Sequence, residues 1–378
     1  MSSSNVTRKT ISFASRVTVA PAVSLRSGVK VAATLLATFG LTCFAARVEG
    51  APFWALGIAV VGLVARGLWR LRRSGAVPAK VGAYTLDQKI GEGGMGVVYK
   101  ANHELLQRPA AIKLLAPERG GEESLKRFER EVQLTSQLTH PNTIAIYDFG
   151  RTSEGSFYYA MEYLDGIDLQ TLVERHGPQH PARVAHLLAQ LAGALVEAHG
   201  AGLIHRDVKP ANVMLCERGG ALDVVKVLDF GLIKQIGGGA GNLTQTDVQR
   251  IVGTPLYLSP EALVDPESVD ARSDLYAVGA LGYFLLTGVT PFCGKNVVEV
   301  CGHHLHSAPV PPSERLGAPL PRKLEELVLS CLAKSPEQRP ASAAALQKAL
   351  LELAAEWTQD RASAWWVENS EPETALAA

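Results

Sequence analysis

Gly91-Glu92-Gly93-Gly94-Met95-Gly96-Val97-Val98 carries the spacing G-x-G-x-x-G-x-V. Glycines so spaced let a backbone fold closely over phosphates, and the same spacing opens the helix of a dinucleotide-binding unit. The flanks decide between the two. VVYKANHELL and RPAAIKLL read as strand, turn and strand, where a dinucleotide unit needs a helix. Hydride transfer is thereby set aside in favour of a strand-flanked glycine lid over a nucleotide. Lys113 lies in Ala111-Ile112-Lys113 on the second strand, and Glu131 follows 18 residues later on a charged helical stretch. Taken singly, either residue reads as an ordinary surface charge. As a pair they gain weight, because a phosphate-binding lysine on a strand needs a carboxylate from a packed helix to hold it extended. Phe128 and Val132, beside Glu131, give that helix an apolar face.

The third cluster is His205-Arg206-Asp207-Val208-Lys209-Pro210-Ala211-Asn212, with Asp229-Phe230-Gly231 placed 22 residues after Asp207. Together these elements resemble the protein kinase signature, H-R-D-x-K-x-x-N and D-F-G behind a glycine loop and A-I-K, in the family's order and spacing. The likeness continues through Gly253-Thr254-Pro255, Ser259-Pro260-Glu261, Asp274-Leu275-Tyr276 and Arg339, and so covers roughly 84–353. It is to the bacterial eukaryotic-like serine/threonine kinases. Ser259 stands where that family usually has Ala, a conservative departure.

The resemblance implies an α+β, two-lobed protein-kinase-like fold, with a small β-rich lobe and a large helical lobe, and an ATP:protein phosphotransferase acting on Ser or Thr. It also implies a role for each matching residue. Asp207 accepts or orients the proton of the substrate hydroxyl, and Lys209 reaches the γ-phosphate; a lysine at this place marks the serine/threonine class. Asn212 and Asp229 hold Mg²⁺, with Mn²⁺ as a substitute, since hard cations take oxygen ligands. Lys113, paired with Glu131, grips the α and β phosphates of ATP. Ile90, Gly91, Gly93, Gly96, Val98 and Ala111 enclose the nucleotide, and Glu162 to Leu164 form the adenine hinge after a gatekeeper-like Met161. Arg206 is placed to pair with a phosphate on the loop after Gly231, which implies activation by autophosphorylation at Thr244 or Thr246, while Thr254 shapes the substrate pocket. The implied partners are protein substrates bearing Ser or Thr and a homodimer for phosphorylation in trans. Two rivals are a nucleotide-binding pseudokinase scaffold and a membrane adaptor. The presence of Lys113, Glu131, Asp207, Asn212 and Asp229 weighs against the scaffold.

The resemblance also implies structural roles for some neighbours: His205 as a packed histidine, Glu261 with Arg339 as a buried ion pair, and Asp274 as a helix-end anchor for the catalytic loop. Cys301, His303, His304 and His306 fit no standard zinc spacing and read as a surface helix or loop.

Positioning these residues requires a small sheet and a helical body. From 84 to about 163, short β-branched and aromatic runs (GVVYKA, AAIKLL, TIAIYDFG, SFYYAMEY) predict strands, interrupted by a helix over 122–138. From Asp168 onward the pattern predicts mostly helix. Val184, Leu188, Leu191 and Leu195 fall on one face, and further helices are expected near 274–287, 322–333 and 341–353. No internal repeat is visible, and GGGAG at 237–241 reads as a flexible loop.

The 37 basic and 37 acidic residues cancel overall but are unevenly placed. Up to residue 83 there are 11 basic side chains and one acid, Glu49, which leaves 26 against 36 in an acidic body that argues against nucleic-acid binding. Two apolar stretches, 31–46 and 51–69, would span about 24 and 28 Å as helices, against a hydrocarbon core of about 30 Å. Basic residues flank the pair on both sides, so the positive-inside rule predicts a hairpin in the cytoplasmic (inner) membrane, with both ends and the kinase domain on the cytoplasmic side. Its four-residue turn, 47–50, leaves no outer sensing domain. The arginines of 66–73 would favour anionic lipids. A signal peptide, a transit peptide and an interfacial hairpin are the competing readings, and length with charge asymmetry favours the spanning hairpin.

The expected order is therefore a basic N-terminal segment (1–30), two short transmembrane helices (31–69), a juxtamembrane linker (70–83), the kinase domain (84–353) and a tail (354–378). The tail holds Trp357, Trp365 and Trp366, which read as packing across the large lobe or meeting a partner, the first being favoured. The five cysteines form no paired framework, as expected of a reducing compartment.

Overall fold

A computed structural model of the protein describes residues 80–93, 96–115, 129–130, 132–230, 255–266 and 269–369. The expected membrane segments, Gly94, Met95, Glu131, Thr244, Thr246, Thr254 and 370–378 lie outside these residues. Among the described residues no helix is long and apolar enough to cross a membrane.

Strands β1 (Lys80–Val81), β2 (Tyr84–Gly93), β3 (Gly96–His103), β4 (Pro109–Leu115), β5 (Ile146–Arg151) and β6 (Phe157–Glu162) form a sheet in the order β1-β2-β3-β4-β6-β5. β4 and β6 are adjacent interior strands, largely buried on both faces and mostly apolar, as strands covered on both sides must be. Side chains alternate across the sheet, so Tyr99, Ala101, Ile112, Tyr158 and Ala160 fill one side. Ala111, Leu115, Tyr159 and Met161 fill the other, with Val132 of the short helical stretch 132–136 packed on them. In the register Val98 faces Lys113, Lys113 faces Tyr159 and Ala111 faces Met161. That alternation gathers the lysine and the apolar residues expected around a nucleotide on one side of the sheet.

The helical lobe runs through α1 (Leu169–His176), α2 (Pro181–Gly200), α3 (Pro260–Val264), α4 (Arg272–Thr287), α5 (Val297–His306), α6 (Pro312–Leu316), α7 (Arg322–Cys331), α8 (Ala343–Ala354) and α9 (Gln359–Asn369). α2 and α4 are apolar nearly all round and therefore form the centre of the core. Val184, Leu188, Leu191 and Leu195 are all buried in it. Gly288, with φ +77°, ends α4 in the left-handed conformation that favours glycine.

The mostly helical expectation after Asp168 overlooks a small sheet of β7 (Gly166–Asp168), β8 (Val213–Arg218) and β9 (Ala221–Val227). The β8–β9 loop is Gly219-Gly220, both with positive φ, the geometry that a two-residue hairpin turn demands. The described part of the tail packs on this hairpin. The Gln359 side chain bonds both the N–H and the carbonyl of Leu222. The histidine-rich stretch is α5, yet His304 is fully buried with Val300, one turn apart on the inward side.

Candidate active site

Asp274, in the first turn of α4, sets the backbone of the loop before β8. Its carboxylate accepts the N–H groups of His205 and Arg206, each at 2.8 Å, and the His199 Nε2 at 2.8 Å. Arg206 has φ +60°, a backbone state that a non-glycine residue holds only when its surroundings impose it. His205 is completely buried, and burial holds its pKa below the usual imidazole value despite the nearby Asp274 and Asp207 charges. The neutral ring suits its bonds, with Nε2 donating to the Leu228 carbonyl at 2.9 Å and Nδ1 accepting the Asp207 N–H at 3.3 Å. Its ring lies against Phe230, 4.6 Å between centroids.

The loop ends in the single 3₁₀ turn Pro210–Asn212 and enters β8. Asp207 Oδ2 accepts Lys209 Nζ at 2.8 Å and Asn212 Nδ2 at 2.9 Å, and the same Nδ2 also bonds the Asp207 carbonyl. Leu228, just past β9, donates its N–H to the Asn212 carbonyl. The two ends of the β8–β9 hairpin are thus tied together, which brings Asn212 and Asp229 side by side.

Asp229 has φ +46°, and its carboxylate meets the sheet. Lys113 Nζ reaches Oδ2 and the Tyr159 hydroxyl reaches Oδ1, both at 2.6 Å. Burial works against the ionised carboxyl, but the Lys113 charge and the hydrogen bonds of Lys113 and Tyr159 prevail and hold its pKa below the ordinary value. Burial, then the charge of Asp229 and its hydrogen bond, pushes the Tyr159 phenol well above its usual value, so it stays a protonated donor.

Val98, Ala111, Met161 and Leu164 share one apolar cluster. Ile90 is exposed on β2, where Gly91 faces Val98 and Gly93 faces Gly96 across the hairpin. Gly96 has φ +137°, and a Cβ there would lie 2.0 Å from the Leu114 carbonyl oxygen, so only glycine fits. The Glu162 side chain is bound away from this cluster, accepting Lys226 Nζ at 2.7 Å, Arg218 Nη2 at 2.6 Å and the Ala145 N–H at 3.0 Å. What Glu162 can offer an adenine is main chain only.

Glu261 and Arg339 form a bidentate pair at 2.7 Å on each side. Ser259 caps α3, its Oγ accepting the Ala262 N–H, and its hydroxyl pairs with that of Ser273, which an alanine could not do. Tyr159 escaped the sequence reading. Its one signal was period two, since a residue two before Met161 on a strand shares its side of the sheet.

The protein kinase domain model matches residues 84–351. Serine/threonine-protein kinase pkn3 of Myxococcus xanthus is 40% identical over 269 residues, 71% of this chain and 49% of that protein. Serine/threonine-protein kinase PknB of Mycobacterium tuberculosis is 40% identical over 274 residues, 71% of this chain and 42% of that protein. The chain therefore spans under half the length of these curated relatives. Among solved structures, the Mycobacterium tuberculosis PknI kinase domain superposes with a TM-score of 0.57 at 28% identity, covering 74% of this chain and all of that one.

Proposed function

The chain belongs to the protein kinase family, and on that premise we propose that it transfers the γ-phosphate of ATP to Ser or Thr hydroxyls of protein substrates. The observation that carries this reading is the meeting of Lys113 from the sheet with Asp229, whose neighbour Leu228 is tied to the loop of Asp207, Lys209 and Asn212. Asp207 accepts or orients the proton of the incoming hydroxyl, and Lys209, already bonded to Asp207, brings positive charge to the phosphate in transfer. Lys113 serves the α and β phosphates. Val98, Ala111, Met161 and Leu164 supply an apolar wall for the adenine and exclude water.

The donor set fits Mg²⁺. Asp229 offers carboxylate oxygens, and Asn212, whose Nδ2 is committed to Asp207, offers its amide oxygen. Two such hard ligands suit an ion that keeps several waters and binds largely through phosphates. When bound, it neutralises charge on the transferring phosphoryl group. Asp274 and neutral His205 keep both ligand-bearing segments in register. Intact mass of the full chain after incubation with ATP and Mg²⁺, beside its Asp207→Asn variant, tests the reading. Added phosphate on the parent alone supports it. No phosphate on the parent or on an added Ser/Thr protein substrate, with ATP bound, refutes it and favours a scaffold.

Arg206 adjoins Asp207, which supports pairing with phosphate at Thr244 or Thr246 after phosphorylation in trans within a homodimer. Peptide mapping of active protein with neither threonine modified would end that idea. The charge asymmetry around 31–46 and 51–69 supports a hairpin anchor against anionic lipid, with the kinase domain (84–353) and tail (354–378) on the cytoplasmic side. Removal of 1–83 should then move the protein from the membrane fraction to the soluble one.

A further inference from the structure

Tyr159 is 1% exposed at the centre of the sheet, opposite Lys113 in the register. Its ring belongs to the apolar cluster of Ala111 and Met161, but its hydroxyl is polar, and a buried hydroxyl needs a partner. That partner is Asp229 Oδ1 at 2.6 Å, while Lys113 takes Oδ2 at the same distance. The two donors stand on adjacent central strands and grip opposite oxygens, so turning the carboxylate about its own bond breaks both contacts. Asp229 needs such a grip. Its φ of +46° is uncommon for a residue with a side chain, and it stands just beyond the end of β9. A carboxylate oxygen has two lone-pair sites, so one donor on each leaves a second site on each for a cation.

We infer that Tyr159 is a positioning residue for the divalent cation: its hydroxyl fixes the Asp229 carboxylate in the orientation that accepts Mg²⁺, from the layer of contacts just outside the metal ligands. Hydrogen bonds of that kind orient metal-binding carboxylates, and their loss costs about 10–100-fold in metal affinity. The inference rests on Asp229 being the metal ligand, and so on the phosphotransferase reading.

The test uses the full chain, Tyr159→Phe, Tyr159→Leu and Asp229→Asn. Binding of a fluorescent ADP analogue is followed first in chelator and then across a Mg²⁺ titration, with thermal melting as a check on folding. Both Tyr159 variants should bind the nucleotide in chelator as the parent does, and should need about 10-fold more Mg²⁺ for the half-maximal enhancement. Their phosphoryl transfer should return towards the parent rate as Mg²⁺ saturates, whereas mere structural damage would depress it at every concentration. A parent-like Mg²⁺ midpoint in a folded Tyr159 variant, with the response lost in Asp229→Asn, overturns the positioning role alone. A parent-like response in Asp229→Asn shows instead that Asp229 is not the metal ligand, and the inference falls with that assignment.

Discussion

Arg183 and Asp223, neither of them exposed to solvent, form a two-pronged ion pair at 2.8 and 2.7 Å beneath the tail. The indole N–H groups of Trp357 and Trp366 donate to the same carboxylate at 2.9 and 2.7 Å, and the Trp365 ring lies 3.7 Å from the Arg183 guanidinium. One aspartate thus fastens α2, the β8–β9 hairpin and a tail lying beyond the family match.

Asp223→Ala would leave the Arg183 charge buried and both indoles without their acceptor. Breaking a buried pair on one side costs about 3–5 kcal/mol. Denaturant unfolding should show a loss of that order, and Trp366→Phe a loss of about 1–3 kcal/mol. Parent-like stability of Asp223→Ala would contradict the fastening role.

Asp274→Ala removes the acceptor of the His205 and Arg206 N–H groups, each worth about 1–3 kcal/mol when stranded. Arg206, at φ +60°, then has less to hold its backbone. Phosphoryl transfer should fall far more than nucleotide affinity, as steady-state rates set beside binding titrations will show.

Two glycines of the lid should respond differently. Gly96→Ala forces a Cβ against the Leu114 backbone, whereas a Cβ at Gly93 meets nothing within 4 Å. Melting temperature and nucleotide affinity should drop in the first variant, while the melting temperature of Gly93→Ala stays near the parent's.

Burial, and then the charge of Lys334, lowers the pKa of His304 to about 4 from 6.5, and its Nδ1 bonds the Tyr276 hydroxyl at 2.8 Å. Between those values the unfolded chain binds the proton that the folded one refuses, so stability rises with pH there. The contribution is complete above about pH 6.5 and is lost as pH falls towards 4, amounting to about 3 kcal/mol. Unfolding measured across pH should have a shallower acid limb in His304→Gln, and an unchanged limb would refute the assignment.

The chemistry was legible because its residues cluster in sequence. Asp207, Lys209 and Asn212 lie within six positions, and Lys113 follows a glycine pattern with strand flanks. The central helices were legible from period and hydropathy, as Leu188 and Leu195 show. Contacts between distant positions were legible only where the family resemblance implied them, as for Glu261 with Arg339 and Asp274 with the catalytic loop. Asp223 meets Trp366 across 143 residues, and neither residue type announces the other. Tyr159 looked like another strand aromatic because nothing local distinguishes a hydroxyl aimed at Asp229. His304 looked superficial because polar composition concealed its inward turn on α5.

The most direct test compares the rate of phosphate transfer from ATP to a Ser/Thr protein substrate by the full chain and by Asp207→Asn, with nucleotide affinity measured on both. Matching affinities are expected, with a rate lower by about 10²–10⁴-fold in the variant, the usual worth of a positioned proton acceptor. Equal rates would contradict the role of Asp207 and, with it, the proposed reaction at this site.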